Sequence, residues 1–117
     1  MGKLSTHVLD ITLGQAGVGV QIELYAVEAG GKRLLKTELT NHDGRCNAPL
    51  LEGADLKAGL YELVFAAGDY FDAQGHTLPS PKFIDRVTLA FGIADVTQNY
   101  HVPLVVSPWA YSTYRGS

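Results

Sequence analysis

Four short segments of the sequence contain polar side chains of the types that perform acid–base chemistry. His7 lies in LSTHVLD, Arg45 follows the turn NHDG, and His101 lies in NYHVPL. The last segment of the sequence contains Tyr114 and Ser117. An imidazole titrates near neutral pH and accepts a proton from water, and a guanidinium binds a carbonyl oxygen or a developing oxyanion. These residue types favour acid–base chemistry by imidazole, with an arginine to orient or polarise a substrate, provided that the fold brings the segments together.

Each of these residues also has an ordinary structural interpretation. His7 shares strand parity with Leu9, and a histidine in that setting is more often a hydrogen-bonded structural residue than a catalytic one. His101 lies on an apolar strand, where a histidine is most often a structural residue with its hydrogen bonds satisfied at an interface. Arg45, directly after a turn, would ordinarily be a solvated surface charge. Residue type alone therefore leaves both interpretations open.

Other kinds of chemical site find little support in the sequence. The four histidines, His7, His42, His76 and His101, show neither H-x-H nor HExxH spacing, and Cys46 has no partner thiol in a short motif. We therefore expect no bound metal and no cofactor. A G-x-S-x-G elbow is absent, and the glycines near the start do not open a helix as a phosphate-binding loop requires.

Composition limits the kind of protein and its partners. The 117 residues, 46% of them hydrophobic, suffice for one core and predict a single domain over residues 1–117. A formal net charge of −3 argues against a nucleic-acid partner. No apolar run approaches the roughly 18 residues that a membrane span needs, and the single cysteine demands no oxidising compartment. We expect a soluble, cytoplasmic protein without membrane contact.

The segments that must position the candidate residues have the pattern of β-strands. Apolar and polar residues alternate between Val18 and Ala26, as on a strand with one buried face. Asp43-Gly44 supplies the positive backbone angle of a tight turn. Only residues 67–75 look capable of a short helix, and residues 75–81 are predicted to form a loop. The pattern predicts an all-β sandwich with strands at 18–26, 33–40, 60–67, 87–93, 100–107 and 110–115.

The strand predicted over Tyr100–Ser107 is apolar on both faces. A small sandwich offers one core, so the second face needs another cover, and a second copy of the chain is the economical candidate. Pro103 cannot donate a hydrogen bond to a neighbouring strand, which predicts a sheet edge or a bulge at this position. We expect an oligomer whose interface includes His101.

Taken together, the motifs LSTHVLD, TNHDGR and NYHVPLVVSPWAYSTYRGS resemble the 5-hydroxyisourate hydrolases of the transthyretin-like family, over essentially the whole chain. The resemblance implies a β-sandwich of two four-stranded sheets with one short helix, assembled as a homotetramer with active sites between dimers. It implies catalytic roles for His7, Arg45 and His101, and substrate-binding roles for Tyr114 and Ser117. The implied reaction is hydrolysis of 5-hydroxyisourate to 2-oxo-4-hydroxy-4-carboxy-5-ureidoimidazoline in urate breakdown, without a cofactor.

Two other functions are compatible with such a sandwich. One is a non-enzymatic carrier like transthyretin, which would hold a small hydrophobic ligand in the same channel. The imidazoles, the guanidinium and the YRGS ending count against it, because a carrier site favours apolar lining. The other is a scaffold without a small-molecule site. The sequence also departs from the family pattern at residues 82–85 and at Trp109-Ala110, which puts the local loop shape in question.

Overall fold

The computed structural model describes residues 2–117 as two β-sheets, one short α-helix and one turn of 3₁₀ helix. In chain order the strands are β1 (Lys3–Asp10), β2 (Gln15–Ala16), β3 (Gln21–Glu28), β4 (Gly31–Leu39), β5 (Leu51–Glu52), β6 (Gly59–Phe65), β7 (Val87–Ile93), β8 (Tyr100–Val106) and β9 (Tyr111–Thr113). Helix α1 (Ala67–Ala73) follows β6, and the 3₁₀ turn spans Gly53–Asp55.

The two sheets have different strand orders. One runs β4-β3-β6-β7 with all neighbours antiparallel. The other runs β2-β1-β8-β9, and β5 also pairs with β1. The predicted sandwich with one short helix is confirmed. The second sheet has five strands rather than four, since two-residue strands β2 and β5 both pair with β1, and its central pair β1–β8 is parallel.

The core lies between the sheets and is built by alternating side chains. In β1, Leu4, Thr6 and Val8 are buried, while Ser5 and His7 between them are partly exposed. Strand β7 coincides with its predicted bounds, and Val87, Leu89 and Ile93 point into the core. Burying a side chain of this size stabilises the fold by about 1.5–3 kcal/mol. The inward faces therefore hold the sheets together and leave the outward faces available for other contacts.

Pro103 lies inside a sheet, so the predicted sheet edge is wrong. Strand β8 has β1 on one side and β9 on the other, without a shift in register. His101 and Gly116 exchange two backbone hydrogen bonds. Along an antiparallel pair of strands, hydrogen-bonded residue pairs alternate with pairs that are not hydrogen-bonded. Pro103, two residues after His101, therefore falls at the next hydrogen-bonded position, opposite Tyr114. Its missing N–H interrupts the ladder there, and the Thr113 hydroxyl donates to the Pro103 carbonyl instead, at 2.7 Å.

Helix α1 is tied to the five-stranded sheet by a buried hydrogen bond, here called the Asp10–Tyr70 clasp. The Tyr70 hydroxyl donates to the Asp10 carboxylate at 2.7 Å, and the backbone N–H of Thr12 donates to its other oxygen at 2.9 Å. Burial and this hydrogen bond raise the pKa of Tyr70. The clasp satisfies a carboxylate with no exposed surface.

Among residues 2–117, no helix has the length and apolar character to cross a bilayer.

Candidate active site

His7 and His101 lie side by side on the outward face of the five-stranded sheet. They reach this face because β1 and β8 run parallel, with Ser5 opposite His101 and His7 opposite Pro103. Inward residues of both strands fill the core, so the odd-numbered residues point away from it. The two imidazole rings lie 6.5 Å apart between centroids, tilted by 40°. Both side chains are half-buried.

Arg45 joins the histidines through the turn that precedes it. The backbone of Arg45 forms an isolated antiparallel bridge with His7, and the N–H of Val8 donates to the Gly44 carbonyl at 2.8 Å. Gly44 adopts a φ of +75°, and a Cβ there would overlap the Val8 carbonyl oxygen. The predicted Asp-Gly turn is confirmed, and its glycine allows the approach that places Arg45 beside β1.

The electrostatics of the group favour a neutral imidazole at His101. Burial, the Arg45 guanidinium and the His7 imidazole, in that order, lower the pKa of His101 below its usual value near 6.5. His101 therefore carries an available lone pair at neutral pH, as a general base requires. Its Nδ1 lies 2.8 Å from the Ser5 hydroxyl oxygen, across the β1–β8 pair. Ser5 was not among the candidates from the sequence, although its parity with His7 places it on the same face.

The last residues lie against the same histidine. Gly116 donates its N–H to the His101 carbonyl at 2.7 Å and accepts the His101 N–H at 3.3 Å. The Arg115 guanidinium lies 4.3 Å from the centre of the Tyr100 ring, and it donates hydrogen bonds to the Gln98 side chain and the Asn99 carbonyl. These contacts hold the tail in place. Ser117 directly follows Gly116, the residue that pairs with His101.

Tyr114 is placed differently from the other candidates. It lines a cavity of about 290 Å³ at the edge of the sandwich, together with Phe91, Tyr100 and Thr113. Within the described part of the chain, no hydrogen bond or ring contact joins its side chain to His7, Arg45 or His101. The structure therefore gathers His7, Arg45 and His101, with Ser117 nearby, and leaves Tyr114 outside this group in a single chain.

The other groups to consider are metal-ligating side chains and the thiol of Cys46. Residues 2–117 contain no cluster of three or more histidine, cysteine, aspartate or glutamate side chains that could hold an ion. Cys46, next to Arg45, is half-buried, and burial raises the pKa of its thiol to about 11. A thiol with that pKa is protonated at neutral pH and is a poor nucleophile. The arrangement is suited to acid–base chemistry by imidazole, assisted by the guanidinium.

The two places where the sequence departs from the family pattern contact each other. Phe83 and Trp109 lie with ring centroids 6.2 Å apart, and both side chains are exposed. Trp109 follows the end of β8, and Phe83 precedes β7, so the contact joins loops of the two sheets. This contact therefore joins the two segments in which the sequence departs from the family pattern, and it does not involve the His7–His101 pair.

Comparison with known proteins identifies the family of the chain. A model described as the HIUase/Transthyretin family matches residues 4–116. The chain belongs to this family. A protein of Pseudomonas aeruginosa named 5-hydroxyisourate hydrolase is 57% identical over all of this chain and 93% of its own. A Ralstonia nicotianae protein of the same name is 58% identical over the full length of both chains. The resemblance inferred from the motifs is thus confirmed.

Solved structures of the family superpose closely on this chain. A 5-hydroxyisourate hydrolase of Klebsiella pneumoniae has a TM-score of 0.81 and 34% identity, with full coverage of both chains. An (S)-allantoin synthase has a TM-score of 0.94 and 39% identity, and this chain spans only 44% of that longer one. Sea bream transthyretin in complex with thyroxine has a TM-score of 0.87 at 23% identity. That last likeness shows a shared fold.

Proposed function

We propose that this chain is a hydrolase that opens the six-membered ring of 5-hydroxyisourate, using His7, Arg45 and His101 as its catalytic groups. The observation that carries the proposal is the convergence of these three side chains from distant segments on one sheet face. The names of the full-length relatives, at 57% and 58% identity, support the choice of substrate.

The chemistry follows from the charges of the group. One imidazole accepts a proton from water as the water attacks the ring amide carbon, and the second orients the water or protonates the leaving nitrogen. A neutral imidazole is needed for the first role, and the lowered pKa of His101 maintains it at neutral pH. The Arg45 guanidinium, always charged, binds the substrate carbonyls and the oxyanion that develops during attack. The Ser117 hydroxyl donates a hydrogen bond to the substrate, and Tyr114 helps to close the site.

Closing the site requires neighbouring copies of the chain, and we propose a homotetramer with the sites between dimers. The histidines lie on an outward sheet face rather than in an enclosed cavity. Large apolar side chains remain exposed after the end of β1, in the β8–β9 turn and at the start of β9, namely Ile11, Leu13, Trp109 and Tyr111. Light scattering should give four times the chain mass of 12.6 kDa. A monomer would contradict this assembly. The proposed compartment is the cytoplasm.

A direct assay tests the hydrolase proposal. 5-Hydroxyisourate is generated from urate, and the loss of its ultraviolet absorbance is followed with and without the protein. The wild-type chain should accelerate the loss well beyond the spontaneous rate, and His101→Asn should lower kcat/KM by roughly 10²- to 10⁴-fold, the contribution of a general base.

His42→Asn is the matched control for this assay. His42 is an exposed histidine in the turn before Arg45, paired with Asp43, so its replacement should leave the rate unchanged. A wild-type chain that does not accelerate the decay, yet binds a hydrophobic small molecule, would favour the carrier function instead.

A further inference from the structure

Ser5 is positioned to control which nitrogen of His101 carries the proton. Its hydroxyl oxygen lies 2.8 Å from Nδ1, and the two residues are direct partners in the parallel β1–β8 pair. The contact joins residues 96 positions apart in sequence, so it exists only when the sheet has formed. Within residues 2–117, no other hydrogen bond to the His101 ring is present, which leaves Nε2 free.

The ring is also held from its other side. Gly116 lies so close to His101 that a Cβ at this position would be 3.1 Å from both Cβ and Cδ2 of the histidine. Since Ser5 on β1 fixes Nδ1 and the Gly116 backbone confines the ring, the imidazole has little freedom to rotate. The charged or titratable neighbours that affect His101 are His7 and Arg45. Gly116 itself presents only uncharged backbone to His101.

We propose that Ser5 is a positioning residue, whose Oγ accepts a hydrogen bond from the Nδ1–H of His101 and so presents an unprotonated Nε2 as the base. This inference rests on the proposed function and assigns the proton-accepting role to His101 rather than His7. The other ring nitrogen of a histidine is commonly fixed in this way by a hydrogen-bonding partner.

The proton and electron balance of the step is simple. Nε2 takes one proton from water as the water oxygen forms a bond to the ring amide carbon, and the electron pair of the carbonyl π bond moves to its oxygen, where Arg45 stabilises the negative charge. The imidazolium keeps its Nδ1–H bonded to Ser5 throughout. As the carbonyl re-forms, the C–N bond of the substrate breaks and its electron pair goes to nitrogen, which receives the proton of the imidazolium, either directly or relayed through His7. His101 thereby returns to its neutral form.

A serine beside an imidazole has a second possible role, that of a nucleophile activated by the histidine. The two roles predict different observations. A threonine keeps an oxygen acceptor and fits a strand, so it preserves positioning. A nucleophilic serine would instead leave an acyl group on the protein, detectable as a burst of product and as added mass.

The test compares Ser5→Ala, Ser5→Thr and the control Thr6→Val. Thr6 precedes His7 on the same strand and donates its hydroxyl to the Val102 carbonyl at 2.7 Å, so its loss weakens the same strand pair without touching His101. The readouts are the pH profile of kcat/KM and the ¹⁵N chemical shifts of His101, which report the protonated nitrogen. Mass measurement during turnover and the thermal midpoint complete the set.

Ser5→Ala should lower the plateau of kcat/KM by roughly 10- to 100-fold, the range seen when the partner of a metal-bound histidine is removed. The imidazolium loses its hydrogen-bond acceptor, so the pKa of His101 should fall and the acid limb of the profile, where kcat/KM drops at low pH, should move to lower pH. The ¹⁵N signals should shift toward the form with the proton on Nε2. Ser5→Thr should restore all three. Thr6→Val should lower only the thermal midpoint.

Several results would overturn the inference. Wild-type signals and pH profile in Ser5→Ala would do so, as would an acyl adduct on Ser5 or a ¹⁵N spectrum showing Nε2–H in the wild-type protein. A wild-type chain without hydrolase activity would defeat the proposed function. The ¹⁵N spectra of the variants would still decide whether Ser5 sets the protonation of His101.

Discussion

The two faces of β1 use polar residues in opposite ways. On the inward face, Thr6 donates to the Val102 carbonyl and Asp10 accepts from Tyr70 and Thr12, so these polar groups have partners within the protein. On the outward face, His7 and Ser5 stand half-buried, and the nearby His101 keeps one ring nitrogen free. Both arrangements occur within eight consecutive residues.

The difference separates stability from chemistry on a single strand. A buried polar group without a partner costs about 1–3 kcal/mol, so the inward groups must be satisfied for the chain to fold. The outward groups are reached by solvent, and their unfilled hydrogen-bonding capacity is what a substrate needs. Changes on one face should therefore alter the free energy of unfolding, and changes on the other should alter the rate.

The largest effect in this comparison is expected for Arg45→Gln, on the outward side. Loss of the guanidinium removes oxyanion stabilisation, and kcat/KM should fall by roughly 10²- to 10³-fold, the usual result of deleting one such donor. Because Arg45 is exposed, the urea midpoint should change little. A large loss of stability with an intact rate would contradict the division between the faces.

On the inward side, Asp10→Ala should act on stability. The substitution leaves the buried Tyr70 hydroxyl and the Thr12 N–H without their acceptor, and should lower the free energy of unfolding by about 1–3 kcal/mol. Urea denaturation measures it. The double variant with Tyr70→Phe should recover part of the loss, since one orphaned donor is removed. At temperatures where it remains folded, the Asp10 variant should retain most of its rate.

A smaller effect is expected for Arg115→Gln, in the tail. The guanidinium contact with the Tyr100 ring and the hydrogen bonds to Gln98 and Asn99 hold the residues before Ser117. Loss of an exposed contact of this kind should raise KM by roughly two- to fivefold with little change in kcat. Steady-state kinetics distinguish this from a catalytic role, which would lower kcat.

The smallest expected effect is a displacement of the pH profile. Since His101 must be neutral to act as a base, kcat/KM should fall as pH drops through its lowered pKa, so the acid limb of the wild-type profile should lie below 6.5. Arg45 disfavours the imidazolium, so Arg45→Gln should raise the pKa and move the limb to higher pH. Arg45→Lys retains the charge and should leave the limb in place.

The sequence predicted best those parts of the fold that local patterns determine. Strand β7 matches its predicted bounds because its inward residues alternate regularly with outward ones. The Asp43-Gly44 turn matches its prediction because few residue types other than glycine adopt a positive φ. Strand β9 is shorter than the predicted 110–115, since Pro103 interrupts its ladder. That interruption depends on which strands flank β8, and no local pattern contains this information.

For the site, the motifs identified residues but not their contacts. His7, Arg45 and His101 were predicted through resemblance to the family, and their roles remain predictions. Ser5 was missed because its significance comes from pairing with His101, which lies in a strand at the other end of the chain. Two parallel strands can adopt many registers, and a shift of one residue would put the hydroxyl on the opposite face.

The Asp10–Tyr70 clasp has a mechanical consequence for the whole sandwich. Helix α1 continues from β6 in one sheet, while Asp10 ends β1 in the other, so the hydrogen bond couples the two layers. If one layer slid over the other by a single residue, about 3.3 Å, the hydroxyl would part from the carboxylate and leave a charge stranded in the interior. The two layers therefore resist sliding past each other, and the strands that contain the two imidazoles stay in a fixed position relative to the rest of the sandwich.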